Sequence, residues 1–308
     1  MSLASLLKGN GPSGYGYGTT AEVVTQGVAL KGKNFLVTGS TSGLGIETVR
    51  VLAQRGARVF ATGRSQEKVV TALGRMPGVV VPLECELSDP KSVRACVQSV
   101  KSAGAKLDGI IANAGVMALP SLELSHGYER QFFTNHIGHF LLVTELLSEL
   151  ADKARVVMLS SAAHTMAPKA GIEFDNLAGQ RSYGAWSAYG QSKLANLLFA
   201  KHLAKRLATE GSTVTANAVH PGVIVSGLQR SMPKVQRLGM AIAAPIALKS
   251  IAEGAATQVY VATRPELGGV SGEYFADCNL AQPSARGRDA ALAERLWQES
   301  ERIVAQLG

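Results

Sequence analysis

An α/β fold, with a doubly wound parallel sheet and helices on both of its faces, is what this chain predicts, and three observations carry it. Short apolar runs rich in β-formers alternate with helical patterns at regular spacing, as parallel strands joined by crossover helices do. A glycine-rich turn, Thr38-Gly39-Ser40-Thr41-Ser42-Gly43-Leu44-Gly45, stands between the first strand and the first helix of that series. No internal repeat or linker divides the 308 residues, and at 46% hydrophobic they can fill one large core. A single domain is therefore expected.

The elements follow in order. Residues 1–30 are Gly- and Ser-rich, then polar. They predict a loose N-terminal arm with a short helix near 20–26, and the domain itself runs over 31–308. Residues 33–38 (KNFLVT) are a short apolar run bounded by glycines, a buried strand. After the glycine-rich turn comes a helical pattern, IETVRVLAQRG (46–56), closed by Gly56, and then a strand, RVFATG (58–63). Residues 65–75 read as helix and 79–87 as strand. Ser88-Asp89-Pro90 opens the next helix, with its proline in the first turn. LDGIIAN (107–113) is a buried strand that runs into Asn113-Ala114-Gly115. Residues 128–150 read as one long helix with Asn135, a poor helix former, in its middle. RVVMLSS (155–161) is a strand ending on Ser160-Ser161. A loop leads to Tyr189-Gly190-Gln191-Ser192-Lys193, at the head of a run (194–207) that reads as an amphipathic helix. A strand over 213–220, a helix over 250–263, an edge strand over 269–277 and an amphipathic helix over 288–307 complete the series.

Two of these stretches carry chemistry. The strand–turn–helix around Gly39, Gly43 and Gly45 suits a dinucleotide. Glycine permits the tight turn and the close approach of backbone to ligand, and the free N–H groups of a helix start attract pyrophosphate. About 20 residues on, at the end of the second strand, an acidic residue would bind the ribose hydroxyl of NAD. The chain has Gly63-Arg64-Ser65 there, and Arg64 can pair with a 2′-phosphate, which favours NADP(H) over NAD(H). In the second stretch, Tyr189 and Lys193 stand four residues apart and share one helix face. A phenol titrates near ~10. A nearby cation lowers that value and gives an acid/base group usable near neutral pH. Tyr-x-x-x-Lys alone is a weak signal, since it also occurs on ordinary amphipathic helices.

Bulk properties exclude several classes. The formal charge of +8, from 31 Lys and Arg against 23 Asp and Glu, is scattered. No basic run with interleaved aromatics and no zinc-finger spacing points to nucleic acid, and an anionic cofactor accounts for part of the excess. Cys85, Cys96 and Cys278 have neither metal spacing nor an even count, which fits a reducing compartment. The N-terminus lacks a signal-peptide run. The longest apolar stretch, 239–248, is too short to span a bilayer and contains Pro245. A soluble, cytoplasmic protein is expected. His136 and His139 have helical i, i+3 spacing without a third ligand, so no metal is expected. His164, three residues beyond Ser161, is a candidate for lining the substrate cleft.

Taken together, TGxxxGxG after the first strand, NAG after the fourth, a mid-helix Asn, a strand-end Ser, YxxxK and a late PG resemble the short-chain dehydrogenase/reductase family. The likeness covers roughly 31–280. The glycine spacing resembles the non-extended branch, and TAEVVTQG, NAGVM, NHIGHFLL, LSSAAH, YGQSKLANLLF and HPGV resemble its retinol-dehydrogenase-like members. The resemblance implies a Rossmann-like fold and a catalytic set of Asn135, Ser161, Tyr189 and Lys193, with Ser160 the alternative to Ser161. Tyr189 would exchange the proton and Ser161 would bind the same substrate oxygen. Lys193 would hold the nicotinamide ribose and depress the Tyr189 pKa. Asn135 would hold a water linking Lys193 to solvent, or else simply bond a helix carbonyl. Cofactor contacts carry over to Gly39, Ser42, Gly43, Leu44 and Gly45 in the turn, and to Arg64. They also carry over to Asn113 and Gly115, to Tyr189 and Lys193, and to Pro221, Gly222, Val223 and Ser226 late in the chain. Glu86 with Leu87 stands where the family often has Asp-Leu against adenine, and Ala112 replaces the first Asn of Asn-Asn-Ala-Gly. Residues 226–250 occupy the place of the family's substrate lid. Their Met, Leu, Ile and Ala content suits a lipophilic aldehyde, ketone or alcohol, and equally suits a helix packed on the core. A membrane-surface role for the same stretch is a third reading. A homodimer or homotetramer is implied by family analogy alone. An NADP(H)-binding regulator without turnover is the rival from another class.

Overall fold

The computed structural model describes residues 2–224 and 248–307. Eight strands make one sheet: β1 Asn34–Val37, β2 Arg58–Gly63, β3 Val79–Glu84, β4 Leu107–Ala112, β5 Leu150–Leu159, β6 Thr215–His220, β7 Tyr274–Ala276 and β8 Asn279–Leu280. Their order across the sheet is β8-β7-β6-β5-β4-β1-β2-β3. All neighbours are parallel except β8, which pairs antiparallel with β7. The chain starts at β1, winds outward to β3, then returns to β4 on the other side. β1 thus pairs with both, Val37 opposite Ala61 and opposite Ile111. Such a reversal opens a crevice beyond the carboxyl ends of the strands, where ligands bind in sheets of this kind.

The core strands read as continuous apolar runs because both faces are covered. Phe35, Leu36 and Val37 of β1, and Ile110, Ile111 and Ala112 of β4, are all buried. Helices Gly43–Gln54 and Ile251–Thr263 cover one face. Helices Pro90–Ser102, Gly138–Glu145 and Ala185–Thr209 cover the other, with Ala290–Ala305 packed outside the last of these.

Four elements depart from the sequence expectation. The helix expected over 128–150 is shorter: Tyr128–Glu129 belongs to a hairpin with Leu124–Ser125. Helix runs from Arg130 to Glu145 with a π turn at Phe133–Ile137, and β5 already begins at Leu150. The run at 194–207 is not amphipathic along its length, because Tyr189 through Ala200 are buried without interruption. The sheet lies on one side and Trp297 of the C-terminal helix on the other, stacked on Phe199 with ring centroids 5.5 Å apart. β7 is not the sheet edge, since β8 lies outside it. The segment expected to be loose is tied down. Ser13 N donates to Asn279 Oδ1 (3.0 Å), Asn279 Nδ2 donates to Tyr15 O (3.0 Å), and Tyr15 packs edge-on against Tyr260. Each of these partners is far away in sequence, beyond the reach of local patterning. Among the described residues, no helix is long and apolar enough to cross a membrane.

Candidate active site

A cavity of about 1110 Å³ lies beyond the carboxyl ends of β1, β4, β5 and β6. One end is bounded by Gly39, Gly43 and Arg64, and the other by Ser161, Trp186 and Tyr189. The strand-end motifs converge here because parallel strands all deliver their carboxyl ends to the same rim.

The glycine-rich turn is a cradle that side chains would fill. Gly39 has φ +71°, and a Cβ on it would lie 2.8 Å from the Ala114 Cα. A Cβ on Gly45 would lie 2.1 Å from the Gly39 carbonyl oxygen. The helix Gly43–Gln54 begins with Ser42 as its N-cap, and no side chain caps its first N–H groups. Such a start suits pyrophosphate oxygens. Asn113 fixes the turn from β4, donating from Nδ2 to Thr38 O (2.8 Å), while Ala114 N donates to Thr38 Oγ1 (2.9 Å). Gly115 packs where a Cβ would meet Asn135 Oδ1 at 3.1 Å and Lys193 Nζ at 3.4 Å. Arg64 is exposed at the cavity rim, and among the described residues no carboxylate pairs with it. Leu44 and Leu87 give apolar walls. The Glu86 carboxylate is turned into its own loop and accepts from Ser88 N (3.0 Å) and Ser88 Oγ (2.7 Å). Pro221, Gly222 and Val223 line the opposite wall. Ser226, and with it 225–247 of the expected lid, lies outside the described residues. The cavity size, the glycine cradle and the open helix start all fit a dinucleotide.

The acid/base candidates meet at the other end. Tyr189 is 7% exposed, and its phenol faces the Ser161 side chain, whose Oγ accepts from Ala163 N (3.1 Å). Ser160 points elsewhere, donating from Oγ to Lys193 O (2.8 Å). Lys193 lies one helical turn on and is buried. Its Nζ donates to Leu159 O (3.0 Å) and stands 5.7 Å from the centre of the Tyr189 ring. Asn135 sits in the π turn. Its Oδ1 accepts from Val116 N (2.8 Å), and its Nδ2 donates to Val116 O and Ser192 Oγ (both 2.9 Å).

The electrostatics differ from the sequence expectation at one point. Burial pushes the Tyr189 phenol up to about 12, offset in part by the Ser161 side chain. Burial also pushes Lys193 down to about 8. Lys193 does not depress Tyr189 in this arrangement because its ammonium is turned onto a main-chain carbonyl. Desolvation penalises both charged forms and so moves the two groups in opposite directions.

His164 does not line the cleft. It is 4% exposed, its Nδ1 lies 2.6 Å from Ser161 O, and its Nε2 accepts from Ser284 N (3.0 Å). Other residues at the site escaped the sequence reading. His220 Nδ1 accepts from Ala162 N (3.1 Å) and Gly222 N (3.4 Å), bracing the Ser161 loop against the Pro221–Gly222 turn. Trp186 packs edge-on against Tyr189 and, with Val116, Met117, Met166 and Leu248, makes the apolar side of the cavity. Trp186 could have been found from its place one turn before Tyr189. Met117 closes the NAGVM run, while Met166 ends a short 3-10 turn, Ala162–Met166, and carries no pattern.

A family model described as short chain dehydrogenase matches residues 33–237. The chain is 41% identical to Short-chain dehydrogenase TIC 32 B, chloroplastic, of Brassica napus, over 100% of both chains. It is 42% identical to Retinol dehydrogenase 12 of Mus musculus, over 90% of this chain and 88% of that one. Among solved structures, an uncharacterized protein from Mycobacterium Paratuberculosis superposes with a TM-score of 0.74 at 33% identity, covering 90% of this chain and 95% of the other. A Short chain dehydrogenase from Burkholderia cenocepacia J2315 in complex with NADP superposes with a TM-score of 0.61 at 25% identity, covering 80% and 96%.

Proposed function

The chain belongs to the short-chain dehydrogenase family, enzymes that act on CH–OH and C=O groups with NAD(P). On that premise we propose that it is an NADP(H)-dependent oxidoreductase interconverting a lipophilic aldehyde or ketone and its alcohol. The observation that carries this reading is the Ser161–Tyr189 hydroxyl pair, a buried phenol beside a half-buried serine at the apolar end of the cavity, one turn from Lys193.

The nicotinamide, when bound, supplies the hydride in reduction or accepts it in oxidation. The protein's own residues handle the oxygen and its proton. Ser161 donates a hydrogen bond to the carbonyl oxygen, and Tyr189, held beside it, gives that oxygen a proton as the alcohol forms. In oxidation Tyr189 takes the proton back. With its phenol pushed up to about 12, Tyr189 is protonated at neutral pH, the state that reduction needs. Lys193 would hold the nicotinamide ribose, and Asn135 holds the Val116 main chain beside it. Arg64, exposed and, among the described residues, without a carboxylate partner, supports NADP(H) over NAD(H). Trp186, Met117 and Met166 support a lipophilic substrate, since soft apolar walls with few polar groups select shape and hydrophobicity. The retinol dehydrogenase among the relatives agrees with that class. Three unpaired buried thiols, Cys85, Cys96 and Cys278, support a reducing compartment such as the cytoplasm. A homodimer or homotetramer follows from family analogy and is checked by sedimentation.

The deciding experiment is NADPH consumption over a panel of lipophilic aldehydes and ketones, with Tyr189→Phe alongside. Turnover lost in the variant while NADPH still binds supports the reading. Near-normal turnover in the variant sinks it, and tight NADPH binding with no turnover on any carbonyl or alcohol would favour a cofactor-binding regulator.

A further inference from the structure

His139 has no part in the chemistry above, yet it is fully buried between the two halves of the site. The π turn explains how it gets there. Gly138 N donates to Phe133 O, five residues back rather than four, so the helix carries one extra residue in that turn. The Asn135 carbonyl is met by a side chain: His139 Nδ1 lies 2.8 Å from Asn135 O. The other ring nitrogen, Nε2, lies 2.8 Å from Thr38 Oγ1. Thr38 Oγ1 in turn accepts from Ala114 N at 2.9 Å.

The direction of every bond in this chain is fixed by what each atom can do. A carbonyl oxygen only accepts, so Nδ1 carries the hydrogen. A neutral imidazole then has a bare Nε2, so the Thr38 hydroxyl donates to it while accepting from Ala114. No donor or acceptor is left over. The ring is neutral, since burial drives its pKa down to about 4 and the nearby Lys193 charge pushes the same way. Thr38 ends β1 and opens the glycine-rich turn, Ala114 follows β4, and Asn135 lies on the helix that flanks Lys193. One imidazole therefore spans three elements.

We propose that His139 is a positioning residue: its Nδ1–H donates to the Asn135 carbonyl and so holds in register the asparagine that braces Val116, while the hydroxyl of Thr38, by donating to Nε2, fixes the tautomer that makes Nδ1 the donor. The catalytic value of that register rests on the oxidoreductase reading, but the register itself does not. A buried histidine could also merely fill space and satisfy its neighbours. The two roles separate by which nitrogen is needed. Asparagine at 139 keeps a donor near the Nδ1 position and gives up the reach to Thr38, whereas leucine fills similar volume and keeps neither.

The test uses the full chain in three variants, wild type, His139→Asn and His139→Leu, with NADPH as the probe. Nitrogen-15 spectra of the wild type should show two buried histidines protonated at Nδ1 and bare at Nε2, His139 and His164, and one of these two sets of signals, that of His139, should vanish in both variants. The amide signal of Val116, the partner of the Asn135 side chain, should move in His139→Leu and return towards wild type in His139→Asn. At saturating NADPH, His139→Leu should lose about 100-fold in kcat, the scale of a small misplacement of catalytic groups, while NADPH affinity changes about 3-fold or less. His139→Asn should regain at least about 10-fold of that loss. An Nε2–H tautomer, an unmoved Val116 signal, or His139→Asn no better than His139→Leu would overturn the proposal. If the wild type turns over no carbonyl at all, the oxidoreductase reading fails by itself, and the tautomer and the Val116 shift still decide whether His139 sets the register. If His139→Leu does not fold, the tautomer and the Val116 signal in His139→Asn decide it: an unmoved signal supports the proposal and a displaced one overturns it.

Discussion

The two ends of the cavity are built in different ways. The end at β1 and β4 is made by backbone: glycines that leave room, a helix start, and main-chain atoms held by Asn113, Thr38 and Ala114. The end at β5 and β6 is made by side chains that arrive from well-separated stretches, with Ser161, Trp186, Tyr189, Met117 and Met166 among them. A backbone-built site tolerates almost no substitution but says little about what else the protein does. A side-chain-built site can change its preference one residue at a time while the chemistry stays. On the proposed reading, the first end marks the class of cofactor and the second the choice of substrate.

Breaking the side-chain end at its centre should have the largest effect. Tyr189→Phe removes the proposed acid/base group, a role worth about 10²–10⁴-fold in rate, and turnover assays should show that loss with NADPH binding intact. At the backbone end, Gly45→Ala drives a methyl towards the Gly39 carbonyl, 2.1 Å from the built position. NADPH affinity should fall by more than about 10-fold, as titration of the bound cofactor's fluorescence would reveal. Arg64→Ala sharpens the contrast without disturbing the fold. A charge-assisted bond of about 1.5–3 kcal/mol is lost to NADPH alone, so the NADPH/NADH ratio of kcat/KM should drop by roughly 10-fold or more. Equal loss for both cofactors would refute the role given to Arg64. Trp186→Ala should be the mildest, raising KM for bulky substrates several-fold and leaving small carbonyls nearly unchanged, as burial of part of one ring warrants.

Acid should weaken both ends together. His136, His139 and His220 are held at about 3, about 4 and about 4 by burial. In the unfolded chain they titrate near ~6.5. Between those values the unfolded state binds more protons, so stability falls as pH drops from about 6.5 towards 4. Melting temperature followed through that window should decline steeply, and a flat profile would show that the histidines are not buried neutral.

Much of the backbone end was legible in the sequence. Gly39, Gly43, Gly45, Arg64 and Asn113 follow β1, β2 and β4 at local spacings, and the strand–turn–helix context gave each a physical reason. Tyr189 and Lys193 were legible as a spacing, but not their electrostatics, because a pKa depends on burial from every side. The even burial of Tyr189 through Ala200 could not be read either, since it depends on Trp297, about a hundred residues away. The π turn was hidden for a related reason. Asn135 looked out of place in a helix, and the extra residue that accommodates it is fixed by contacts to Val116, Ser192 and Thr38 across the fold. His164 was misplaced because three residues of separation brought it near Ser161 in sequence, while Ser284 drew the ring away from the cleft.

That last bond bears on how the protein is made. His164 reaches the Ser161 carbonyl from one side and the Ser284 amide from the other, and Arg286 closes over Lys169 O at 3.2 Å. A nascent chain that has emerged only as far as helix 185–209 already contains Asn135, Ser161, Tyr189 and Lys193. It lacks the amide that holds the serine loop in place. Synthesis must run on past residue 284 before that contact can form, later than the Pro221–Val223 stretch that lines the opposite wall of the cavity.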